Sequence, residues 1–251
     1  MSNKNSRVGI GGIKIMKVNV LLTGRGNNTL KDKNIINLLG KPVMYYIANS
    51  CAKAEVTDNL YCSSDDDNIL AIASDLGYMP IKRPKELALP TAQHIDCIMH
   101  GLKIMEENND LPDILVVALA NNVTITSKWV DDCVNMMKED MNISCVIPVY
   151  QDNDHHPLRA KIIDENGSIQ MYEKVEGKVS TNRQDLTPCY FVSHNIWVLN
   201  VKKLLSGEEG QAPWSFMGNK IKPYIIHDSL DIHDRTDLLV AQEWIENHYN
   251  D

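Results

Sequence analysis

The sequence lacks an apolar run long enough to cross a bilayer. Its longest uninterrupted apolar segment covers residues 114–120, whereas a membrane-spanning helix needs roughly 20 such residues. A secretory leader would carry an apolar core of about 7 to 15 residues before a cleavage site. The first residues, MSNKNSRVGIGGIKIMKVNV, contain no such core. We therefore expect neither a membrane partner nor export by that route.

Paired C-x-x-C cysteines are also absent. The six cysteines are scattered along the chain, most of them in apolar segments: Cys51, Cys62, Cys97, Cys133, Cys145 and Cys189. Scattered cysteines of this kind are typical of buried free thiols in a reducing compartment. The sequence therefore predicts a cytoplasmic protein.

The chain has no surplus of positive charge. Its 251 residues include 25 Lys+Arg against 33 Asp+Glu, which gives a net charge of -8. General nucleic-acid binders neutralise phosphates with surplus Lys and Arg, so we expect no nucleic-acid partner. An anionic ligand would need a local basic pocket. The hydrophobic content of 43% suits a folded α/β domain with a substantial core.

Strand-like and helix-like segments alternate along residues 17–149. The predicted strands are 17–22, 60–63, 114–120 and 144–149, and the predicted helices are 42–54, 66–76, 91–106 and 127–139, the last with Ser127 as N-cap. Such alternation implies a parallel sheet covered by helices on both faces. We therefore predict a three-layer α/β fold with a mostly parallel sheet.

The pattern changes after residue 152. Two short strands, 159–163 and 168–172, flank an Asn166-Gly167 turn, which is a strong hairpin signal. Strands at 195–199 and 224–226 and a helix at 236–247 follow. We predict an N-terminal tail over residues 1–15 and a single domain over residues 16–251, with a small lobe at about 155–193.

In such a sheet, ligands bind beyond the carboxyl ends of the strands. The loop of residues 23–34 is the most informative one at that edge, because its glycines admit a ligand close to the backbone and Arg25, Lys31 and Lys33 supply charge. It can cradle a polyphosphate, or it is an ordinary turn with solvated lysines. The loop fits neither G-x-G-x-x-G nor a P-loop, which disfavours a NAD-linked oxidoreductase.

Five segments occur in a characteristic order. They are Gly24-Arg25-Gly26-Asn27-Asn28-Thr29-Leu30-Lys31-Asp32-Lys33-Asn34 with Gly40-Lys41-Pro42, then Ser63-Ser64-Asp65, Lys82-Arg83-Pro84-Lys85-Glu86-Leu87-Ala88, His155-His156-Pro157-Leu158-Arg159 and Ser229-Leu230-Asp231-Ile232. Over roughly residues 17–247 the chain resembles the acylneuraminate cytidylyltransferases.

The resemblance implies a nucleotide-diphospho-sugar-transferase-like fold with a hairpin excursion used for dimerisation. It also implies transfer of CMP from CTP to the anomeric hydroxyl of a sialic-acid-like, nonulosonic sugar acid, with release of pyrophosphate. Mg²⁺, or Mn²⁺, is the expected metal, and a homodimer is the expected assembly. A 3-deoxy-octulosonic or other acidic sugar as acceptor, and a catalytically impaired nucleotide-binding relative, are the alternatives.

The resemblance also implies which residues hold CTP. Arg25 and Lys33 are the expected catalytic cations on the triphosphate, and the surrounding loop supplies Gly24, Gly26, Asn27, Asn28 and Asn34. Arg83, Ala92 and His94 are expected at the cytosine. The alternatives are a surface salt bridge for Arg83 and an ordinary half-buried helix residue for His94.

The acceptor and metal positions depart from the family pattern. Ala120 replaces the glutamine that touches the sugar in the family, so Asn121 and Asn122 are the candidate sugar contacts. Arg159 and Arg183 are expected near the sugar carboxylate, and their alternative is a solvated charge on the hairpin.

Where the family has Asp-Ile-Asp, this chain reads Asp231-Ile232-His233. Asp231 and His233 are therefore the candidate metal ligands, although Mg²⁺ prefers oxygen. Waters and phosphates could complete the coordination, Asp234 could swing in, or a softer ion could be used. Asp234 and Asp237 are otherwise N-terminal charges of the following helix, the interpretation that we favour for Asp237.

Overall fold

The computed structural model describes residues 16–26, 28–175 and 177–249. The helices are α1 (Val43–Lys53), α2 (Asp67–Asp75), α3 (His94–Glu107), α4 (Ser127–Glu139), α5 (Val201–Leu205) and α6 (Arg235–His248). The strands are β1 (Val18–Thr23), β2 (Asn37–Leu38), β3 (Lys41–Pro42), β4 (Asn59–Ser64), β5 (Met79–Lys82), β6 (Ile114–Leu119), β7 (Cys145–Gln151), β8 (Lys161–Ile163), β9 (Ile169–Met171), β10 (Tyr190–Val192), β11 (Ile196–Asn200) and β12 (Ile221–Ile226). The predicted tail of residues 1–15 lies outside the described residues.

Eight strands form the main sheet, in the order β10-β7-β11-β6-β1-β4-β5, with β12 also paired to β7. At its centre β1 runs parallel to both β4 and β6, so these three strands end at the same edge. β11 runs antiparallel to β6 and β7, and β10 is antiparallel to β7. The predicted mostly parallel sheet is confirmed, with β10 and β11 as its antiparallel strands.

The alternation of side chains along β1 divides the core into two layers. Val18, Val20 and Leu22 face one apolar cluster, and Leu21 faces another on the opposite side of the sheet. The first cluster includes residues of α1, α2 and α4, and the second includes residues of α3. Full burial of each such side chain contributes about 1.5–3 kcal/mol. The predicted three-layer arrangement is therefore confirmed.

The helix ends lie within one residue of the predicted bounds, except the start of α3, which is His94 and not residue 91. Pro42 precedes α1, and the Asp66 side chain accepts hydrogen bonds from the first turn of α2. Ser127 as the N-cap of α4 is wrong. The cap is Thr126, whose side chain accepts from the Trp129 amide, and Ser127 is the first helical residue. Both Thr126 and Ser127 have the hydroxyl that is preferred at an N-cap. Thr126 is the cap because its backbone is extended, whereas Ser127 is already helical.

The predicted hairpin is present. β8 and β9 pair antiparallel, and Gly167 in the turn has a φ of 77°, which favours glycine. Both strands are exposed along their whole length. β5 and β10 have no strong sequence signal because they are short and carry few buried side chains. None of the described helices is both long enough and apolar enough to span a membrane.

Candidate active site

The loops after β1, β5 and β6, together with the start of α3, surround a cavity of about 330 Å³ at the carboxyl edge of the sheet. This is the edge at which the parallel topology predicts a ligand site. Many residues singled out in the sequence line this cavity: Gly24, Arg25, Asn28, Lys33, Asn34, Arg83, Ala92, His94 and Asn121. Asn27 lies outside the described residues. The roles assigned to these residues stay predictions.

The loop after β1 is shaped by its own amides. The carbonyl oxygen of Arg25 accepts from Asn28 Nδ2 at 2.7 Å and from Asn34 Nδ2 at 3.0 Å. Arg25 Nε in turn donates to Asn28 Oδ1 at 3.2 Å. The Gly26 amide donates to Asp65 Oδ1, and a Cβ on Gly26 would lie 2.6 Å from an Asp66 oxygen. Asn28 and Asn34 therefore hold the backbone turn that presents Arg25.

Lys33 stands next to this loop and is half-buried. Burial lowers its pKa, and the nearby Arg25 lowers it further, while the carboxylates of Asp231 and Asp237 oppose the change. Lys33 therefore interacts electrostatically with both Arg25 and Asp231. An anion between these cations would relieve their mutual repulsion.

Arg83 is a buried cation at the cavity wall, with only 7% of its surface exposed. Its Nε donates to Ser63 Oγ at 3.1 Å, and a terminal nitrogen donates to the Ser63 carbonyl at 2.6 Å. Among the described residues no carboxylate forms an ion pair with it. The surface salt bridge considered for Arg83 is therefore wrong. A buried charge without a counter-ion is costly, so this guanidinium is suited to an oxygen-rich ligand.

His94 begins α3 beside Arg83. Its Nε2 lies 3.1 Å from Thr23 Oγ1, and its ring packs against Trp197 with centroids 4.8 Å apart. Burial lowers the pKa of His94 to about 4, and the charges of Arg83 and His194 add to the effect. At neutral pH the ring is therefore uncharged.

Asp231 interacts electrostatically with Lys33 but does not itself line the cavity, and its segment pairs with the loop after β6. Asn122 and Asp231 form an antiparallel bridge, and Asn122 Nδ2 donates to Asp231 Oδ1 at 3.0 Å. The other oxygen, Oδ2, lies 3.8 Å from His233 Nε2. Burial raises the pKa of Asp231, against the opposing effect of the Asn122 hydrogen bond.

The donor set supplies one well-placed carboxylate for a metal. Within residues 16–26, 28–175 and 177–249, no three His, Cys, Asp or Glu side chains are grouped so as to hold an ion. Mg²⁺ at nucleotide sites commonly takes one or two carboxylates and fills its remaining positions with phosphates and water. Asp231, with an oxygen free of the Asn122 bond, fits such a site. His233 would be a neighbour of the ion or a weaker ligand.

Asp234 and Asp237 are engaged in helix capping. The Asp234 side chain accepts from the amides of Thr236 and Asp237, and Asp237 Oδ2 accepts from the Asp234 amide, which forms a capping box on α6. The interpretation favoured for Asp237 is confirmed. Movement of Asp234 toward a metal would break these bonds.

Arg159 and Arg183 lie together in the small lobe, and neither lines the cavity. Both form ion pairs with Asp154. Arg159 lies 3.3 Å from Asp154 Oδ1, and Arg183 pairs with Asp154 Oδ2. Asn121 lines the cavity, whereas Asn122 is fully buried with its amide bonded to Asp231 and Thr124. Contacts of these four residues with a sugar stay predictions.

The structure adds an aromatic region that the sequence did not reveal. A second cavity of about 600 Å³ is lined by Trp214 and Phe216 and shares Gln93 and His94 with the first. His194 packs edge-on against Trp214, with centroids 4.9 Å apart, and interacts electrostatically with Asp231. These rings come from segments distant in sequence, and no local periodicity marks them as a group.

Curated proteins with related sequences are cytidylyltransferases, whereas no family model matches the chain. Pseudaminic acid cytidylyltransferase of Campylobacter jejuni is 25% identical over 166 residues, which cover 66% of this chain and 70% of that protein. N-acylneuraminate cytidylyltransferase of Escherichia coli is 23% identical over 218 residues, 86% of this chain. The match covers 49% of that relative, so this chain spans about half its length.

Solved structures give the same fold. CMP:2-keto-3-deoxy-manno-octonic acid synthetase complexed with CTP superposes with a TM-score of 0.66 at 11% identity, covering 92% of this chain and 98% of that one. A 4-diphosphocytidyl-2C-methyl-D-erythritol synthase from Anaerococcus prevotii gives 0.62 at 14% identity, covering 93% and 97%. The predicted fold class and the resemblance to cytidylyltransferases are confirmed.

Proposed function

We propose that this protein transfers CMP from CTP to the anomeric hydroxyl of a sialic-acid-like, nonulosonic sugar acid and releases pyrophosphate. The observation that carries the proposal is Arg83, a buried guanidinium without a carboxylate partner among the described residues, which opens onto a cavity that also contains Arg25 and Lys33. The relatives named as cytidylyltransferases of acidic sugars support the choice of reaction.

In this proposal the cavity binds CTP along its length. Arg83 and His94 lie at the nucleobase, with Ala92 beside them, and Arg25 and Lys33 hold the triphosphate. The loop of Gly24, Gly26, Asn28 and Asn34 keeps its backbone close to the phosphates. Concentrated positive charge at this one place explains how a chain with a net charge of -8 serves a polyanion.

The reaction is an in-line displacement at the α-phosphorus. The anomeric oxygen forms the new bond to phosphorus, the bond to the bridging oxygen of the pyrophosphate breaks, and the hydroxyl proton passes to solvent. The residues position the reactants and neutralise charge on the leaving group. A divalent ion, when bound, adds positive charge to the triphosphate, and Asp231 would hold it with His233 nearby.

The acceptor would lie beside the nucleotide, over Asn121 and the aromatic cavity of Trp214 and Phe216. Aromatic faces suit the apolar face of a sugar, and guanidinium groups suit its carboxylate. Arg159 and Arg183, in the small lobe, are the candidate guanidinium groups for the sugar carboxylate. A 3-deoxy-octulosonic acceptor is the second candidate, favoured by Ala120 in place of the family's glutamine and by the fold of the CTP-bound synthetase.

The proposal includes a homodimer and a cytoplasmic location. The hairpin exposes Ile163 and Ile169 by 75% and 71%, and Tyr172 next to it by 64%. An exposed apolar patch of this kind is typical of an interface. All six cysteines are free thiols, five of them buried, as suits a reducing compartment.

The test is release of pyrophosphate by the purified protein with CTP, Mg²⁺ or Mn²⁺ and a panel of sugar acids. We expect turnover with a nonulosonic acid and none when the sugar is omitted. Turnover only with the octulosonic acid would select the second candidate. CTP binding without turnover on any acceptor would instead identify a catalytically impaired relative.

A further inference from the structure

The side chain of Asn122 is held in one orientation. Its Oδ1 accepts from the Thr124 amide at 2.9 Å and from Thr124 Oγ1 at 2.8 Å. Because both of these groups donate, the oxygen of the amide must face Thr124, and Nδ2 must face the other way. The residue is fully buried, so water does not compete for these bonds.

The orientation directs an N–H at one oxygen of Asp231. Asn122 Nδ2 donates to Asp231 Oδ1 at 3.0 Å, and the two residues also form a backbone bridge. The Ile232 amide donates to the Asn121 carbonyl at 3.0 Å. The Leu230 amide donates to Thr124 Oγ1 at 3.0 Å. Both neighbours of Asp231 are thus tied to the loop after β6.

The consequence is that the two oxygens of Asp231 differ. Oδ1 is bonded to a buried amide, whereas Oδ2 lies on the side of His233 Nε2. A carboxylate anchored through one oxygen cannot rotate freely, so the other oxygen keeps a fixed direction. Groups that orient a metal ligand from behind in this way commonly influence metal affinity by about 10- to 100-fold.

We propose that Asn122 is a positioning residue, which holds Asp231 so that Oδ2 points to the metal and triphosphate. The proposal rests on the proposed function for the identity of that ligand. It assigns Asn122 a role behind the carboxylate, in place of the direct sugar contact expected from the sequence. Thr124 fixes the orientation of the Asn122 amide.

The test uses Asn122→Ser. A serine hydroxyl still accepts from the amide two residues later, as in an ST-turn, but is too short to reach Asp231. The matched control is Asn200→Ala, which removes another buried amide, bonded to the Met141 and Ile143 carbonyls at the opposite edge of the sheet. Thermal unfolding and CTP affinity without metal establish that each variant is folded.

The readout is Mn²⁺ affinity in the presence of CTP, measured by electron paramagnetic resonance, together with kcat and KM. For Asn122→Ser we expect Mn²⁺ affinity and kcat to fall by about 10-fold or more, with the KM for CTP within about twofold. Asn200→Ala should lose thermal stability and keep its Mn²⁺ affinity. Unchanged Mn²⁺ affinity in Asn122→Ser, or an equal loss in Asn200→Ala, overturns the proposal.

The same experiment separates this proposal from the proposed function. If the wild-type protein binds CTP and Mn²⁺ but turns over no acceptor, the proposed function fails. The comparison of Mn²⁺ affinities still decides the role of Asn122 in that case, because it needs no turnover. If the wild-type protein does not bind Mn²⁺ in the presence of CTP, the positioning role of Asn122 is overturned. The proposed function is then decided separately, by the release of pyrophosphate without a metal.

Discussion

His94 Nε2 donates a hydrogen bond to Thr23 Oγ1 over 3.1 Å. The direction follows from the other bond of the hydroxyl, whose single proton goes to the Ala118 carbonyl at 3.2 Å. The bond therefore joins the start of α3 to the end of β1, at the wall of the cavity that Arg25, Lys33 and Arg83 also line. Because burial opposes the charged form of the ring, Nδ1 carries no second proton.

The first prediction concerns the acid stability of the fold. The pKa of His94 is lowered from 6.5 to about 4. Between these values the unfolded chain binds a proton that the folded chain does not bind. The part of the free energy of unfolding that depends on His94 is therefore fully present above about pH 6.5. It decreases by on the order of 3 kcal/mol as pH falls toward about 4. Urea denaturation across this range measures the effect.

His94→Gln is the variant for this measurement, since an amide can still donate to Thr23 but does not titrate. We expect a shallower decline of stability between about pH 6.5 and 4 than in the wild-type protein. His155→Gln is the control, because His155 is fully exposed on the small lobe and has its pKa raised by Asp152. Equal slopes for His94→Gln and the wild type would contradict the prediction.

The second prediction concerns Arg83. Arg83→Lys keeps the charge but cannot make both bonds to Ser63, so the cation loses its fixed position. We expect the KM for CTP to rise by about 10- to 100-fold, as for the loss of one charged hydrogen bond. Steady-state kinetics with varied CTP measures the effect.

Lys82→Ala is the matched control for Arg83. Lys82 is a neighbouring cation whose side chain is exposed and paired with Asp67. Because an exposed ion pair contributes little, its loss should change the KM for CTP by less than about twofold. A similar rise in both variants would mean that general charge, and not the buried guanidinium, determines CTP affinity.

The fold was predictable where local signals agree with burial. The apolar run at residues 114–120 became β6, and Asn166-Gly167 became the hairpin turn. The antiparallel direction of β11 was not predictable. A central strand that is buried on both faces has the same continuous apolar pattern whether it runs parallel or antiparallel to its neighbours. β5 was missed since only Ile81 among its residues is buried.

The location of a site residue was predictable where the residue follows a strand end in the sequence. Arg25, Lys33 and Arg83 follow strand ends, and the structure brings them to one cavity. The orientation of Asn122 was not predictable, because its partner Asp231 is 109 positions away. Nothing in the sequence around Asn122 distinguishes an amide that faces a ligand from one that faces a carboxylate.

The third prediction concerns Asp231. Asp231→Ala removes the carboxylate proposed to hold the metal, and we expect pyrophosphate release to fall below detection. Asp234→Ser is the control, since serine preserves an N-cap for α6 and Asp234 already serves there as cap. It should retain activity. Unchanged turnover in Asp231→Ala would refute the metal role of this residue.

The fourth prediction concerns the hairpin. Ile163 and Ile169 are paired across β8 and β9 and strongly exposed. If they form the dimer interface, Ile169→Lys loses roughly 1.5–3 kcal/mol of apolar burial per copy and shifts the protein to monomer at micromolar concentration. Light scattering after size exclusion measures the mass. Leu239→Lys, at a residue 70% exposed on α6, should leave the mass unchanged.

The fifth prediction concerns Asp110, which joins the amino-terminal ends of β1 and β4. Its carboxylate accepts from Asn19 Nδ2 at 2.8 Å, from Asn59 Nδ2 at 3.0 Å and from the Tyr61 hydroxyl at 2.7 Å, and pairs with Lys17. Burial alone would raise the pKa of Asp110, but the bonds from Lys17, Tyr61 and Asn19 outweigh it and lower the pKa.

A carboxylate with a lowered pKa stabilises the fold above its ordinary value near 3.8, and the contribution disappears as pH falls through the folded value. Asp110→Asn should therefore cost about 1–3 kcal/mol at neutral pH. The difference from wild type should shrink below about pH 4, as followed by urea denaturation. Asp75→Asn, at an exposed position near the end of α2, should cost less than about 0.5 kcal/mol. A deficit in Asp110→Asn that stays constant down to low pH would mean that shape, and not charge, accounts for the role of Asp110.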